Sequence, residues 1–167
     1  PSFVSLSGGA LRARRQPSDM CLVEITGGLQ NGTVPLSYNP YFSGYSHSST
    51  PATSAVSIHH PAGDIKKISF DDNTVSAVQA MGSSEANSSW QVNWDRNTTT
   101  EGGSSGSPLF DQNHRIIGQL WGGGASCNNL SAPDYYGSLN KSWEPNGSSN
   151  SEQLKHWLDP NDDGVTF

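Results

Sequence analysis

Short runs in which apolar and polar residues alternate recur along the chain, each bounded by turn-forming residues. They are SDMCLVEIT (18–26), SAVSIHH (54–60), DIKKISF (64–70), TVSAVQAM (74–81), SSWQVNWD (88–95), SPLFD (107–111), RIIGQLWG (115–122) and YYGSLNKSW (135–143). Period-two alternation over such short spans predicts half-buried strands, and DDNT (71–74) and DQNH (111–114) have turn chemistry. Many short strands at regular spacing predict an all-β barrel or sandwich. Long helical patterns that could cross a parallel sheet are not interleaved with them. Residues 27–54 read as loop, with Tyr38, Tyr41, Phe42 and Tyr45 set among Ser, Pro and Gly, and residues 1–17 read as an irregular approach ending in Arg12, Arg14 and Arg15. One helix is predicted near the end. Ser151 serves as its N-cap, Glu152 lies in the first turn, Leu154, Trp157 and Leu158 form the apolar face, and Pro160 supplies the stop. The expected division is an approach segment (1–17), a β domain (18–150), and a helix with tail (151–167).

Composition narrows the class. With 167 residues, 32% hydrophobic and 14% charged, the chain can form one domain with a real core, and its Gly/Ser-rich make-up suits a secreted, turn-rich β protein. The net charge of −6 advertises no basic surface, so nucleic acid is not an expected partner. No apolar run is long enough to span a membrane as a helix. The opening PSFVSLSGGALRARR places its basic residues after its apolar ones, the reverse of a signal peptide; a leader already removed, or a start inside a longer protein, is expected. Two cysteines, Cys21 and Cys127, could pair with each other but form no framework. DPNDDG (159–164) fits the opening of a calcium loop, but no glutamate follows to close it. A turn is expected there, with neither metal nor cofactor.

The chemistry concentrates in TEGGSSGSPLF (100–110). A Gly/Ser run reads as a linker in isolation, but this one is embedded between apolar strands. A nucleophilic serine needs a tight turn that projects its hydroxyl, with backbone N–H groups beside it aimed at a developing oxyanion. Gly103 and Gly106 flank Ser105 and permit that geometry, with Gly103 and Ser105 as the oxyanion donors. GGSSG (102–106) also fits the nucleophile elbow of an α/β-hydrolase, with Ser104 as nucleophile and Asp134 and His156 downstream; that elbow must open a helix, and Pro108 with the alternation after it disfavours one.

GGSSGSP, together with PSDMCLVEI, AVSIHHPAGDIKKIS, WQVNWD, RIIGQLWGG, the SC pair at 126–127, DYYGSLNKSW and LKHWLDP, resembles the trypsin-like serine peptidases, closest to bacterial lysyl endopeptidases, over about residues 17–160. The resemblance implies the second β-barrel of that fold with a C-terminal α-helix, the first barrel being largely missing. It implies a serine endopeptidase acting through an acyl-enzyme on Ser105, after Lys or Arg, with Asp19 as triad aspartate; without it, Asp19 reads as an ordinary turn residue before a strand. It implies Asp134 as the acidic floor of the primary pocket, with Trp121, Gly122 and Gly123 lining the channel for a polypeptide substrate. The lysyl enzymes often carry histidine where Trp121 stands, and Phe42 and Tyr45 are the aromatic candidates for shaping that subsite. Ser104 stands where the pancreatic enzymes carry an aspartate. The family's catalytic histidine lies upstream of the aspartate, whereas His47, His59, His60, His114 and His156 all lie downstream of Asp19. His59 and His60 match a later, non-catalytic segment, and period two places one inward and one outward. The base is therefore expected on an N-terminal barrel chain preceding Pro1, as is the cysteine that the resemblance pairs with Cys127. LRARRQP offers a basic site at which such a peptidase could nick itself. The isolated chain is expected to be nearly inactive, and a noncatalytic peptide-binding β module is the alternative.

Overall fold

The computed structural model describes residues 4–147 and 149–164; the outermost residues of the two proposed end segments lie outside it. Among the described residues, nine strands form two sheets. β1 (Ser7–Arg15) and β2 (Met20–Gly27) make an antiparallel hairpin. β3 (Ala55–His59), β4 (Lys67–Asp71), β5 (Ser76–Val78), β6 (Ser89–Val92), β7 (Pro108–Asp111), β8 (Ile116–Gly123) and β9 (Asp134–Ser138) make one antiparallel sheet in the order β4-β3-β7-β8-β9-β6-β5. The strand ladder does not close, but a bridge between Phe70 on β4 and Asp95, just past β6, brings distant parts of the sheet together. Alternation does what the pattern predicts: Ala55, Ser57 and His59 on β3 point inward, and Leu109 on β7 and Tyr136 on β9 are fully buried. Ala52, Val75, Trp90, Val92, Trp94, Leu109, Ile117, Leu120 and Tyr136 belong to one core inside this curl.

Three sequence expectations are corrected. The approach segment is not irregular, because Ser7–Arg15 is a strand. Its pattern hid it: only Ala13 is buried, so glycines and arginines occupy both faces with no alternation to read. YYGSLNKSW is not one strand; it leaves β9 at Ser138 and turns into a short helix, α1 (Leu139–Trp143). The C-terminal helix is broken. Asn150–Glu152 is a single tight turn capped by Ser149, not Ser151, with Glu152 closing a capping box. Gln153 is extended, and α2 spans only Lys155–Leu158.

These terminal elements build a second core. Ala13 and Met20 of the hairpin pack with Leu139, Trp143 and Leu154, flanked by Leu22, Tyr45, Ile116, Trp157 and Leu158. A lone two-stranded hairpin is marginal in water, so this core is what docks it onto the large sheet. Only one hairpin face is used, leaving Leu11, Val23 and Ile25 about half exposed on the other.

Candidate active site

The turn at Gly102–Ser107 is held from three sides. Gly102 O accepts the Ala62 N–H at 2.7 Å, the Gly106 N–H donates to Leu120 O at 2.8 Å, and Leu120 N–H donates to Ser107 O at 2.9 Å. Gly103 (φ +94) and Gly106 (φ +82) take left-handed conformations that favour glycine, and a side chain on Gly103 would also press on the Ala62 N at 3.3 Å. Pinned in this way, the turn puts Ser105 on the outside. Its side chain is exposed, and no described group hydrogen-bonds its hydroxyl. The backbone N–H groups of Gly103 and Ser105 likewise have no partner among the described residues, whereas Ser104, Gly106 and Ser107 all donate. Two free donors beside a free hydroxyl are the elements of an oxyanion site.

The neighbouring Ser104 is the opposite. It is 2% exposed, its hydroxyl meets His59 Nδ1 at 2.9 Å, and strand β7 rather than a helix follows the turn. A nucleophile elbow at Ser104 is thereby excluded. Nothing in the residue pattern marks Ser104, rather than Ser105, as the serine that meets a histidine.

Asp19 lies at the tip of the hairpin in a left-handed conformation (φ 50, ψ 37), which aspartate tolerates better than most residues. Its turn is clamped on every side. Ser18 Oγ bonds Ser142 Oγ at 2.7 Å, Ser83 Oγ donates to Pro17 O at 2.6 Å, and Arg15 is paired with Glu85. Gln119 Nε2 reaches across from β8 to Ser18 O at 2.8 Å and Asp19 O at 3.3 Å. Gln119 precedes Leu120, the residue bonded to both Gly106 and Ser107. Asp19 and the Ser105 turn thus anchor to adjacent residues of one strand. The Asp19 carboxylate accepts no hydrogen bond from a described residue, and partial burial raises its pKa above the ordinary carboxylate value.

No described histidine bonds Ser105 or the Asp19 carboxylate. His47 stacks on Trp143 at 4.2 Å, His60 Nδ1 meets Asp64 O at 3.2 Å, and His156 packs edge-on to Trp157. Of the adjacent pair, His59 is buried and His60 exposed, as period two requires.

Asp134 is 1% exposed. Its carboxylate accepts from Thr100 Oγ1 at 2.5 Å, Trp94 Nε1 at 2.8 Å and the Ala125 N–H at 3.4 Å, and no described cation pairs with it. Three donors answer its burial, and a cationic side chain reaching it would be complementary in charge. A surface-turn role for Asp134 does not fit its burial. β8 runs beside it, Gly123 pairing with Asp134, and outruns β7, whose pairing ends at Gln119, so Trp121–Gly123 have no β7 partner. A bulge at Trp121 interrupts the β8–β9 register, and a Cβ on Gly123 would collide with the Asp134 carboxylate and the Pro133 carbonyl. Met81 lies against Gly122.

Of the aromatic candidates, Tyr45 is drawn into the second core, tilted against Trp143 with its hydroxyl on Leu158 O at 3.1 Å, and Phe42 is 69% exposed. Neither is brought to Asp134 or Ser105. Cys21 and Cys127 are both free and exposed, so they do not pair with each other. Cys127 instead ties its loop to the serine turn, its N–H donating to Glu101 Oε1 at 2.7 Å. DPNDDG is a turn, with the Asp159 carboxylate accepting the Asp163 and Gly164 N–H groups, and no metal-holding cluster occurs among the described residues.

Residues 2–137 match the family described as lysyl endopeptidase, C-terminal domain. The chain belongs to that family. It represents the C-terminal part of a trypsin-like serine peptidase. Two solved structures of the Rv3671c protease are similar: the active form, from M. tuberculosis, at 14% identity and a TM-score of 0.49, and the inactive form at 13% and 0.49. Each comparison covers 78% of this chain but only 53% and 60% of those proteases, so the chain spans little more than half their length.

Proposed function

We propose that this chain supplies the nucleophile, the orienting carboxylate and the primary specificity pocket of a secreted serine endopeptidase that cuts after lysine or arginine. The observation that carries the reading is the Ser105 hydroxyl: exposed, unbonded and flanked by the free N–H groups of Gly103 and Ser105. A general base on an N-terminal barrel takes the Ser105 proton, Oγ attacks the scissile carbonyl, and the oxyanion forms against the two N–H groups. Asp19 orients the base and stabilises its cation. A substrate strand pairs with the open edge of β8 at Trp121–Gly123, and its basic side chain extends to Asp134.

The test uses the native protein with peptides differing only in a central Lys, Arg or Leu. Cleavage after Lys and Arg but not Leu, lost on the order of 10⁴-fold or more in Ser105→Ala, is expected. Undiminished hydrolysis by Ser105→Ala contradicts the reading. The open β8 edge also suits a noncatalytic peptide-binding module, for which binding without any cleavage is the diagnostic result.

A further inference from the structure

A chain of buried polar groups runs beneath the serine turn, and its hydrogen-bond directions can be assigned. Ser69 Oγ donates to Thr99 O at 2.8 Å, because a carbonyl only accepts. That hydroxyl has no second proton, so its 3.0 Å contact with His59 Nε2 must be donated by the imidazole. With the proton on Nε2, Nδ1 is an acceptor, and the Ser104 hydroxyl 2.9 Å away donates to it. The Ser104 oxygen in turn accepts the Glu101 N–H at 3.3 Å. Each of the three side chains, Ser69, His59 and Ser104, donates once and accepts once in this relay, and His59 and Ser104 are both 2% exposed.

We infer that His59, neutral and protonated on Nε2, is a positioning residue that holds the oxyanion turn through Ser104. This rests on the peptidase reading above. Ser104 lies between the two proposed oxyanion donors, the N–H groups of Gly103 and Ser105. Its side chain is the turn's inward anchor, while the Ala62 and Leu120 bonds hold the backbone on either side. The charged and titratable groups around the imidazole are Asp134 from β9, Glu101 through Ser104, Lys67 opposite on β4, and His60, the residue just past the end of β3. A proton on Nδ1 leaves the Ser104 hydroxyl with no acceptor among these bonds and releases the anchor. His59 touches no reacting atom, and its other nitrogen faces a serine rather than a carboxylate, so it is not a second catalytic base.

Asparagine and glutamine separate the two ring nitrogens. Asparagine can keep an acceptor near the Nδ1 position for Ser104, whereas glutamine places its amide nearer Nε2 and Ser69. In the native protein, Ser104→Ala and His59→Gln are expected to lower kcat about tenfold to a hundredfold with KM changed less than about threefold, and His59→Asn to stay within about threefold of the parent. A role in folding alone would penalise both His59 variants alike. Equal loss in His59→Asn and His59→Gln overturns the inference, as does an unchanged kcat in Ser104→Ala. Nitrogen NMR of the ring supplies a readout without catalysis: a proton on Nε2 supports the assignment, and one on Nδ1 overturns it. If the parent cleaves no peptide, the peptidase reading fails, and the ring tautomer still decides the relay.

Discussion

At the scale of single residues, two buried ionisable side chains carry the account. Asp134 is buried against three neutral donors with no described cation beside it, and in the proposed reading a substrate ammonium takes that place. Asp134→Asn removes the charge while keeping the shape, and kcat/KM on lysyl peptides is expected to fall on the order of a hundredfold or more, with peptides carrying an uncharged residue there far less affected. Comparable losses on both peptide sets would contradict the pocket assignment. His59 is the second. Burial lowers its pKa below the ordinary 6.5, so the folded protein resists protonation that the unfolded chain accepts. Its contribution is intact above about pH 6.5 and is lost as pH falls from there through the folded-state value. Urea midpoints are expected to decline below pH 6.5 more steeply in the parent than in His59→Asn; parallel profiles would contradict the assignment. The exposed turn that carries Gly103 and Ser105 was readable from a short motif, whereas Asp134 was singled out as a pocket residue only through the resemblance. Ser104 and His59 were not legible: their partnership joins two segments that only the packing of the serine turn over β3 brings together.

At the scale of elements, β8 organises the site. Gln119 holds the Asp19 turn, Leu120 holds the Ser105 turn, and the end of the β7 pairing leaves the edge beyond open. Behind it, Gly137 on β9 is pressed directly against the Ser18 carbonyl and the Gln119 amide, leaving no room for a Cβ. Gly137→Ala should destabilise the protein by about 3 kcal/mol and displace Asp19, checked by urea unfolding and by peptide turnover. A neutral substitution would show that the hairpin tip is not clamped as described. The strands with inward alternation were readable from the chain because one face is buried. β1 was not, because its burial comes from a partner hairpin strand and a few helix residues rather than from a repeating face. The terminal helix was overestimated because Leu154, Trp157 and Leu158 have helical spacing, whereas Gln153 is extended and the apolar side chains are gathered by the second core.

At the scale of the whole molecule, the hairpin presents two faces with different fates. Met20 and Leu22 pack on the second core, while Leu11, Val23 and Ile25 stand open on the other face. An apolar face on the hairpin whose tip carries Asp19, the proposed orienting carboxylate, suits the contact surface of the proposed N-terminal barrel. In the native protein Val23→Asp is expected to cost about 2 kcal/mol or more of stability, because the charge would be buried at that contact. A change within about 0.5 kcal/mol would show the face to be solvent-exposed.

The central claim is that the hydroxyl of Ser105 is the nucleophile. Fluorophosphonate labelling of the native protein, followed by mass mapping of the modified peptide, tests it most directly. The account predicts one stoichiometric adduct on Ser105, abolished in Ser105→Ala. An adduct on Ser104, or no adduct on a protein that still cleaves peptides, would contradict it.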